Sequence, residues 1–299
     1  MNKKPNVLIV DLNHLIYRFG DRYFRDFISL EDATDRILLA IKNIEIFLNI
    51  DKTIIVADLK CPSRKEYFNE LLGYELEYKE GRTRDPKWDS INNLVKDKLS
   101  NLYPYVRAFD YEADDIITAF VEKMGNKMNK YILTVDADIL PIIDEDTSVL
   151  LYKRNAETPL IEGYSLFNKE NFTKQIKLIK DFSKPYVTLN NFLLIKMLIG
   201  DKSDNIPKVG KYTPFSLTDF FKWGNIDKNF KWNYFLSIEE VEKELKKILV
   251  SPEQQKQALN NFKLMQMNST LENRRTKFSI KKEMLLQKGD HTINSWRIK

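Results

Sequence analysis

The chain is read as an α/β protein: a mostly parallel central sheet flanked by helices, continued by a helical C-terminal region. Three observations give that class. Short, β-branched apolar runs alternate with helix-period stretches through the first half, and several of those runs end in an acid. Beyond about residue 163 the strand pattern gives way to helical periodicity.

Taken in order, strands are expected over 6–13, 52–59, 105–110, 131–138 and 148–153, the first four apolar enough to be buried on both faces. Helical periodicity covers 30–49, 63–72, 88–102 and 113–124. The later helices fall at 188–200, 216–223, 238–250 and 252–267, separated by Pro, Gly and Asn. The division expected is an α/β domain over 1–163 and a helical region over 164–299.

Composition removes several kinds of chemistry. Of 299 residues 43% are hydrophobic and 30% charged, as in a globular protein with a sizeable core. One cysteine excludes an internal disulfide framework and suits a reducing cytoplasm. With two histidines besides, a zinc site lacks ligands and a Cys/His or Ser/His pair is improbable; any metal must be held by oxygen. No run reaches membrane-spanning length and no secretory signal opens the chain. The net charge of +5 is uneven: from Gln254 onward ten basic residues face three acidic ones, the balance either of a flank that meets a polyanion or of a solvated basic tail.

The acids are placed suggestively. Asp11 closes the first strand, Asp58 the second, Asp110 the third, and Asp136 and Asp138 the fourth. Glu112, Asp114 and Asp115 open the helix after the third strand, and Asp201 and Asp204 share a turn ended by Pro207. In open α/β sheets ligands bind beyond the carboxyl ends of the strands. Carboxylates crowded there repel one another unless a cation neutralises them, and a hard divalent ion does so. Helix capping is the plain alternative for Glu112, Asp114 and Asp115.

The motifs "VLIVDLNHLIYR", "IIVADL", "YEADDIITAF", "LTVDADILPII" and "IGDKSDNIP" resemble, in order and spacing, those of the 5′-nuclease superfamily, over roughly the first 210 residues. The likeness is nearest to phage 5′-exonucleases and phage ribonuclease H. It implies a PIN-like core with a helical arch, here about 79–102, where Gly81, Pro86 and many charges suggest mobility. It also implies two Mg²⁺ or Mn²⁺ ions. Asp11, Asp58, Glu112, Asp114 and Asp115 match the first ligand group, Asp136, Asp138, Asp201 and Asp204 the second. "YKEGR" matches the family's arch-base pattern, giving Lys79 and Arg82 as catalytic cations and Tyr78 as a stacking ring, with Arg64 upstream as a further contact. The implied reaction is phosphodiester hydrolysis near 5′ ends of flap, nicked or RNA-primed DNA, leaving a 5′-phosphate.

One departure concerns the nucleic-acid grip. The family's glycine-rich helix-turn-helix is replaced by "IPKVGKYTPFSLTDFFKWG", which has Gly210 but no G-x-G. Lys202, Lys208 and Lys211 are the substitute phosphate contacts expected. The implied partners are 5′-flap, nicked or single-stranded-ended DNA and RNA–DNA hybrid, with a single-strand-binding protein or clamp as a further partner, and no membrane. The resemblance implies a monomer, in the host cytoplasm if phage-encoded. The competing readings are a PIN-type endoribonuclease and an inactive replication protein that retains the fold.

Overall fold

The computed structural model describes residues 3–59, 61, 66, 69, 85–152, 163–179, 182–202, 204–213, 216–223, 226–266, 276–277, 288–293 and 296–297. The chain forms two compact units. The first comprises 1–61, 83–168 and 268–299, the second 62–82 and 169–267.

Strand β1 (Asn6–Asp11) is buried along its whole length, which accounts for its unbroken apolar run. It lies between two parallel neighbours, β2 (Lys52–Val56) and β4 (Asn129–Thr134). Outside them run β3 (Pro104–Ala108) and β5 (Thr147–Tyr152), both parallel, and then β6 (Tyr164–Phe167), antiparallel to β5. The strand Gly289–Ile293 adds in parallel beside β3, giving the order β6-β5-β4-β1-β2-β3-(289–293).

Four helices complete this unit. Helix α1 (Leu12–Phe24) starts directly at the end of β1, and α2 (Leu30–Leu48) is capped by Ser29, whose hydroxyl accepts the Asp32 N–H at 3.0 Å. Helices α3 (Trp88–Ser100) and α4 (Ala113–Met124) follow. Asn6 ties the foot of β1 to its surroundings. Its amide donates to Leu48 O and Asn49 O, both at 3.1 Å, and its oxygen accepts from Asn129 at 2.9 Å.

Several expectations need correction. The first strand stops at Asp11, and Leu12, Leu15, Ile16 and Gly20 form the buried stripe of α1. Within the expected arch, residues 88–100 are a packed helix, because Trp88, Ile91, Val95 and Leu99 repeat at helical spacing and are all buried. Residues 79–84 lie outside the described residues, as does the expected helix over 63–72 apart from Glu66 and Asn69. The region after 163 is not purely helical, since β6 and the strand 289–293 belong to the sheet. The latter is short and polar and occupies an edge, where Asp290 pairs with Arg107 at 2.9 Å and Lys96 at 2.8 Å.

In the second unit, α5 (Phe192–Ile199), α6 (Ser216–Trp223), α7 (Ile238–Ile248) and α8 (Pro252–Met265) match the helical periodicity to within a few residues. Helix α8 packs on α5 and α7. Thr213 and Ser216 exchange side-chain bonds at the start of α6, and Ser237 forms a capping box with Glu240 at the start of α7. Among the described residues no helix is long and apolar enough to cross a membrane.

Candidate active site

The chain order of the strands reverses at the sheet centre, with β2 and β3 to one side of β1 and β4 and β5 to the other. Such a switch point opens a crevice beyond the carboxyl ends of the strands. Asp11 ends β1 there and Thr134 ends β4. The Thr134 hydroxyl donates to Asp11 Oδ2 at 3.1 Å and also accepts the Asp136 N–H at 3.1 Å.

Although Asp11 stands at the N-cap of α1, its side chain caps nothing, and it is only 2% exposed. Its partner is His14, one turn into α1, whose Nδ1 lies 2.8 Å from both Asp11 Oδ2 and Thr134 Oγ1. Burial alone would lower the His14 pKa. The Asp11 carboxylate, its hydrogen bond, and the charges of Asp136 and Asp114 override burial and push it up to about 10. The carboxylates around His14 thus favour its charged form.

Asp58 lies just beyond β2 and joins the starts of two helices. Its Oδ1 accepts the Ala113 N–H of α4 at 2.6 Å and its Oδ2 accepts the Asn13 amide of α1 at 2.5 Å. The E-x-D-D acids divide by task. Glu112 and Asp115 form a capping box, with Asp115 Oδ2 accepting the Glu112 N–H at 3.0 Å, and Asp115 is fully buried. Asp114 is the one that feels the crevice. Burial first, then the charges of Asp136, Asp11 and Asp58, raise its carboxyl well above the usual range, with His14 opposing. Asp110 supplies the turn into α4 with a left-handed backbone, φ 71°. Asp136 caps the short helical turn Ala137–Ile142 by accepting the Asp138 N–H at 2.8 Å.

The structure thus brings Asp11, Asp58, Asp114 and Asp136 into mutual electrostatic range and sets Glu112 and Asp115 in a capping box at the start of α4. Among the described residues no three Asp, Glu, His or Cys side chains are gathered tightly enough to hold an ion as they stand. Asp11, Asp58 and Asp115 each accept hydrogen bonds from nearby donors. The donor chemistry fits a hard divalent cation, since it consists of carboxylate oxygens.

Asp201 and Asp204 belong to the second unit, on a tight loop. Gly200 has φ 71°, and a Cβ there would sit 2.5 Å from Ile206 O, so only glycine closes the bridge between Asp201 and Ile206. Asn205 is also left-handed, at φ 59°. Asp201 Oδ2 accepts from the buried Lys196 at 3.3 Å. Asn261, fully buried, donates to Met197 O and Pro207 O, both at 2.7 Å, and so braces the loop from α8. Lys202, Lys208 and Lys211 are exposed on or beside this loop. Arg64, Tyr78, Lys79 and Arg82 lie outside the described residues.

Sequence reasoning did not find His14, Thr134, Lys196 or Asn261. Nor did it single out Tyr17, one turn past His14 on α1, which is 51% exposed and rests on the buried Trp88 with ring centroids 4.2 Å apart.

A mostly parallel sheet with acids at its switch point has counterparts among known proteins. No protein-family profile matches the chain. It is 29% identical over 245 residues to the thermostable DNA polymerase I of Thermus filiformis, covering 75% of this chain and 25% of the polymerase. Over 244 residues it is 29% identical to a 5′-3′ exonuclease of Buchnera aphidicola subsp. Schizaphis graminum, covering 77% and 75%. A 5′-3′ exonuclease of Aquifex aeolicus is 28% identical over 164 residues, and the chain spans half of that relative's length. Among solved structures, the bacteriophage T5 D15 flap endonuclease in complex with DNA and metal ions superposes with a TM-score of 0.61 over 88% of this chain and 90% of that one. At 15% identity this likeness speaks for the fold alone. The sequence relatives are thus 5′-3′ exonucleases and DNA polymerases I, and the fold is shared with the T5 flap endonuclease.

Proposed function

We propose that the protein is a divalent-metal-dependent 5′-nuclease that hydrolyses phosphodiesters near the 5′ ends of flap, nicked or RNA-primed DNA. The observation that carries this reading is the gathering of Asp11, Asp58, Asp114 and Asp136 at the sheet's switch point, held by Thr134, Asn13 and the start of α4; burial first, then the neighbouring charges, raise the carboxyl of Asp114. Carboxylates are rarely crowded so without a cationic task. The exonuclease names of the sequence relatives, and the DNA and metal ions of the T5 complex, support the same reading.

Asp11, Asp114 and Asp136 would hold the metal, with Asp58 beside them; on the strength of the motif match Glu112 and Asp115 belong to the same first group, and Asp138, Asp201 and Asp204 to the second. Bound divalent ions supply Lewis acidity and a water of lowered pKa. The chain's own groups set the frame for this. Thr134 and His14 fix the Asp11 carboxylate, and Asn13 orients Asp58. Tyr17 offers an exposed ring, backed by Trp88, on which a base of the bound strand can stack. Lys202, Lys208 and Lys211 supply phosphate contacts, and Lys79 and Arg82 the charge at the scissile phosphate.

The test uses a DNA flap labelled at its 5′ end. Wild-type protein should release short labelled products only with Mg²⁺ or Mn²⁺, and Asp114→Asn should lose at least about a hundred-fold in rate while still binding DNA. Cleavage that persists in excess chelator, or in Asp114→Asn, refutes the proposal.

A further inference from the structure

The second unit holds a cavity of about 330 Å³ that shares no residue with the carboxylate crevice. Part of its lining is aromatic. Tyr186 and Phe221 stack with ring centroids 5.2 Å apart and only 9° between their planes. The Tyr186 side chain is hydrogen-bonded to Thr218, which precedes Phe221 by one turn on α6, so a single helix fixes both rings. Ile226 and Phe230 extend the apolar lining.

The polar groups are few and specific. Asn190, a lining residue, donates its Nδ2 to Lys228 O at 3.0 Å, which holds the amide in place. Lys228 is an exposed cation at the cavity, and Lys184 and Lys222 adjoin the lining residues Pro185 and Phe221 in the chain. Asp227 is the single acid among the lining residues described, and its Oδ1 accepts the Asn229 N–H at 2.8 Å.

A planar aromatic wall, an amide and an ammonium match the parts of a nucleotide. The base presents a π-face to the ring pair, its edge meets the Asn190 amide, and the phosphate meets Lys228. The cavity falls in the size range of small-ligand sites, roughly 300–1,000 Å³. We propose that this cavity binds one nucleobase of a single-stranded nucleic acid. The proposal extends the nucleic-acid reading above, but its test needs no cleavage.

The full chain is titrated in EDTA with a short oligothymidylate, with an abasic oligomer of equal length, and with thymidine monophosphate, followed by intrinsic fluorescence. Wild type should prefer the base-bearing oligomer over the abasic one by roughly ten-fold. Phe221→Leu, with an unchanged melting temperature, should erase that preference. Lys228→Gln should weaken both oligomers alike and lower the salt slope by about one. If Phe221→Leu does not fold, the contrast between oligomers in wild type and in Lys228→Gln decides. A wild type indifferent to bases, or a folded Phe221→Leu that keeps the preference, overturns the proposal. Binding of the monophosphate through Phe221 without any effect of Phe221 on the oligomer assigns the cavity to free nucleotides and overturns the strand assignment. Flap cleavage measured on Phe221→Leu separates the two claims: intact Mg²⁺-dependent cleavage with unaltered oligomer binding ends the cavity proposal and leaves the nuclease reading standing.

Discussion

Replacing Thr134 by valine exchanges a hydroxyl for a methyl of similar size at the switch point, so the effect isolates polar contacts from packing. In the wild type this hydroxyl donates to Asp11 Oδ2 at 3.1 Å and accepts the Asp136 N–H at 3.1 Å. The first bond has a charged acceptor and contributes about 1.5–3 kcal/mol; leaving the second donor without its partner costs about 1–3 kcal/mol where water does not replace it. Because Asp11 is almost wholly buried and Asp136 is partly open, the sum should fall near 2–4 kcal/mol rather than at the upper limit. Urea unfolding at neutral pH measures it, with Thr134→Ser as the control that keeps the hydroxyl and should lie within about 1.5 kcal/mol of wild type. A cycle with Asp11→Asn should show coupling of about 1 kcal/mol or more. If Thr134→Val unfolds within about 0.5 kcal/mol of wild type, the hydroxyl does not organise the crevice and the reasoning fails.

Other consequences are equally direct. Gly200→Ala places a Cβ 2.5 Å from Ile206 O in a left-handed backbone, so it should destabilise the protein by about 2–4 kcal/mol and abolish cleavage; a normal melting temperature would contradict the loop geometry. The His14 imidazole should stay protonated at pH 8 by NMR, since its pKa is pushed up to about 10. The sign follows: its stabilisation is full below its unfolded value near 6.5 and is lost as pH rises toward 10, and an imidazole titrating near 6.5 in the folded protein would refute the Asp11 pairing. Tyr17→Leu should raise the KM for flap DNA by roughly ten-fold with little change in kcat, and Tyr17→Phe should restore it; an unchanged KM would remove Tyr17 from the interface.

Much of the fold was legible because its signals are local. Buried parallel strands are continuous apolar runs, and a surface helix repeats its apolar positions, so Asn6–Asp11 and Ala113–Met124 were visible with no partner in view. Helix α1 was not, since "VLIVDLN" carries a strand-like alternation past Asp11 and the helix starts at Leu12 with no Gly, Pro or loop residue between. The strand Gly289–Ile293 was hidden because edge strands are short and polar.

The candidate site divides along the same line. Acids at strand ends can be read from strand positions, which is how Asp11, Asp58, Asp114 and Asp136 were found. The groups that hold them answer to distant partners: Thr134 meets Asp11 across 123 positions of chain, and Asn261 braces a loop more than fifty residues earlier. The same limit explains the E-x-D-D outcome. Spacing alone offers both capping and ligation, and the packed helix start shows that Glu112 and Asp115 cap while burial and neighbouring charges act on Asp114.

Binding of Mn²⁺, followed by electron paramagnetic resonance in wild type and in Asp114→Asn, Asp11→Asn and Lys228→Gln, reaches the central claim most directly. If the carboxylates beyond β1, β2 and β4 form a cation site, the first two substitutions should each weaken the tightest Mn²⁺ binding at least ten-fold, and Lys228→Gln should leave it unchanged. Equal Mn²⁺ affinity in all four proteins, or none in wild type, would contradict the account.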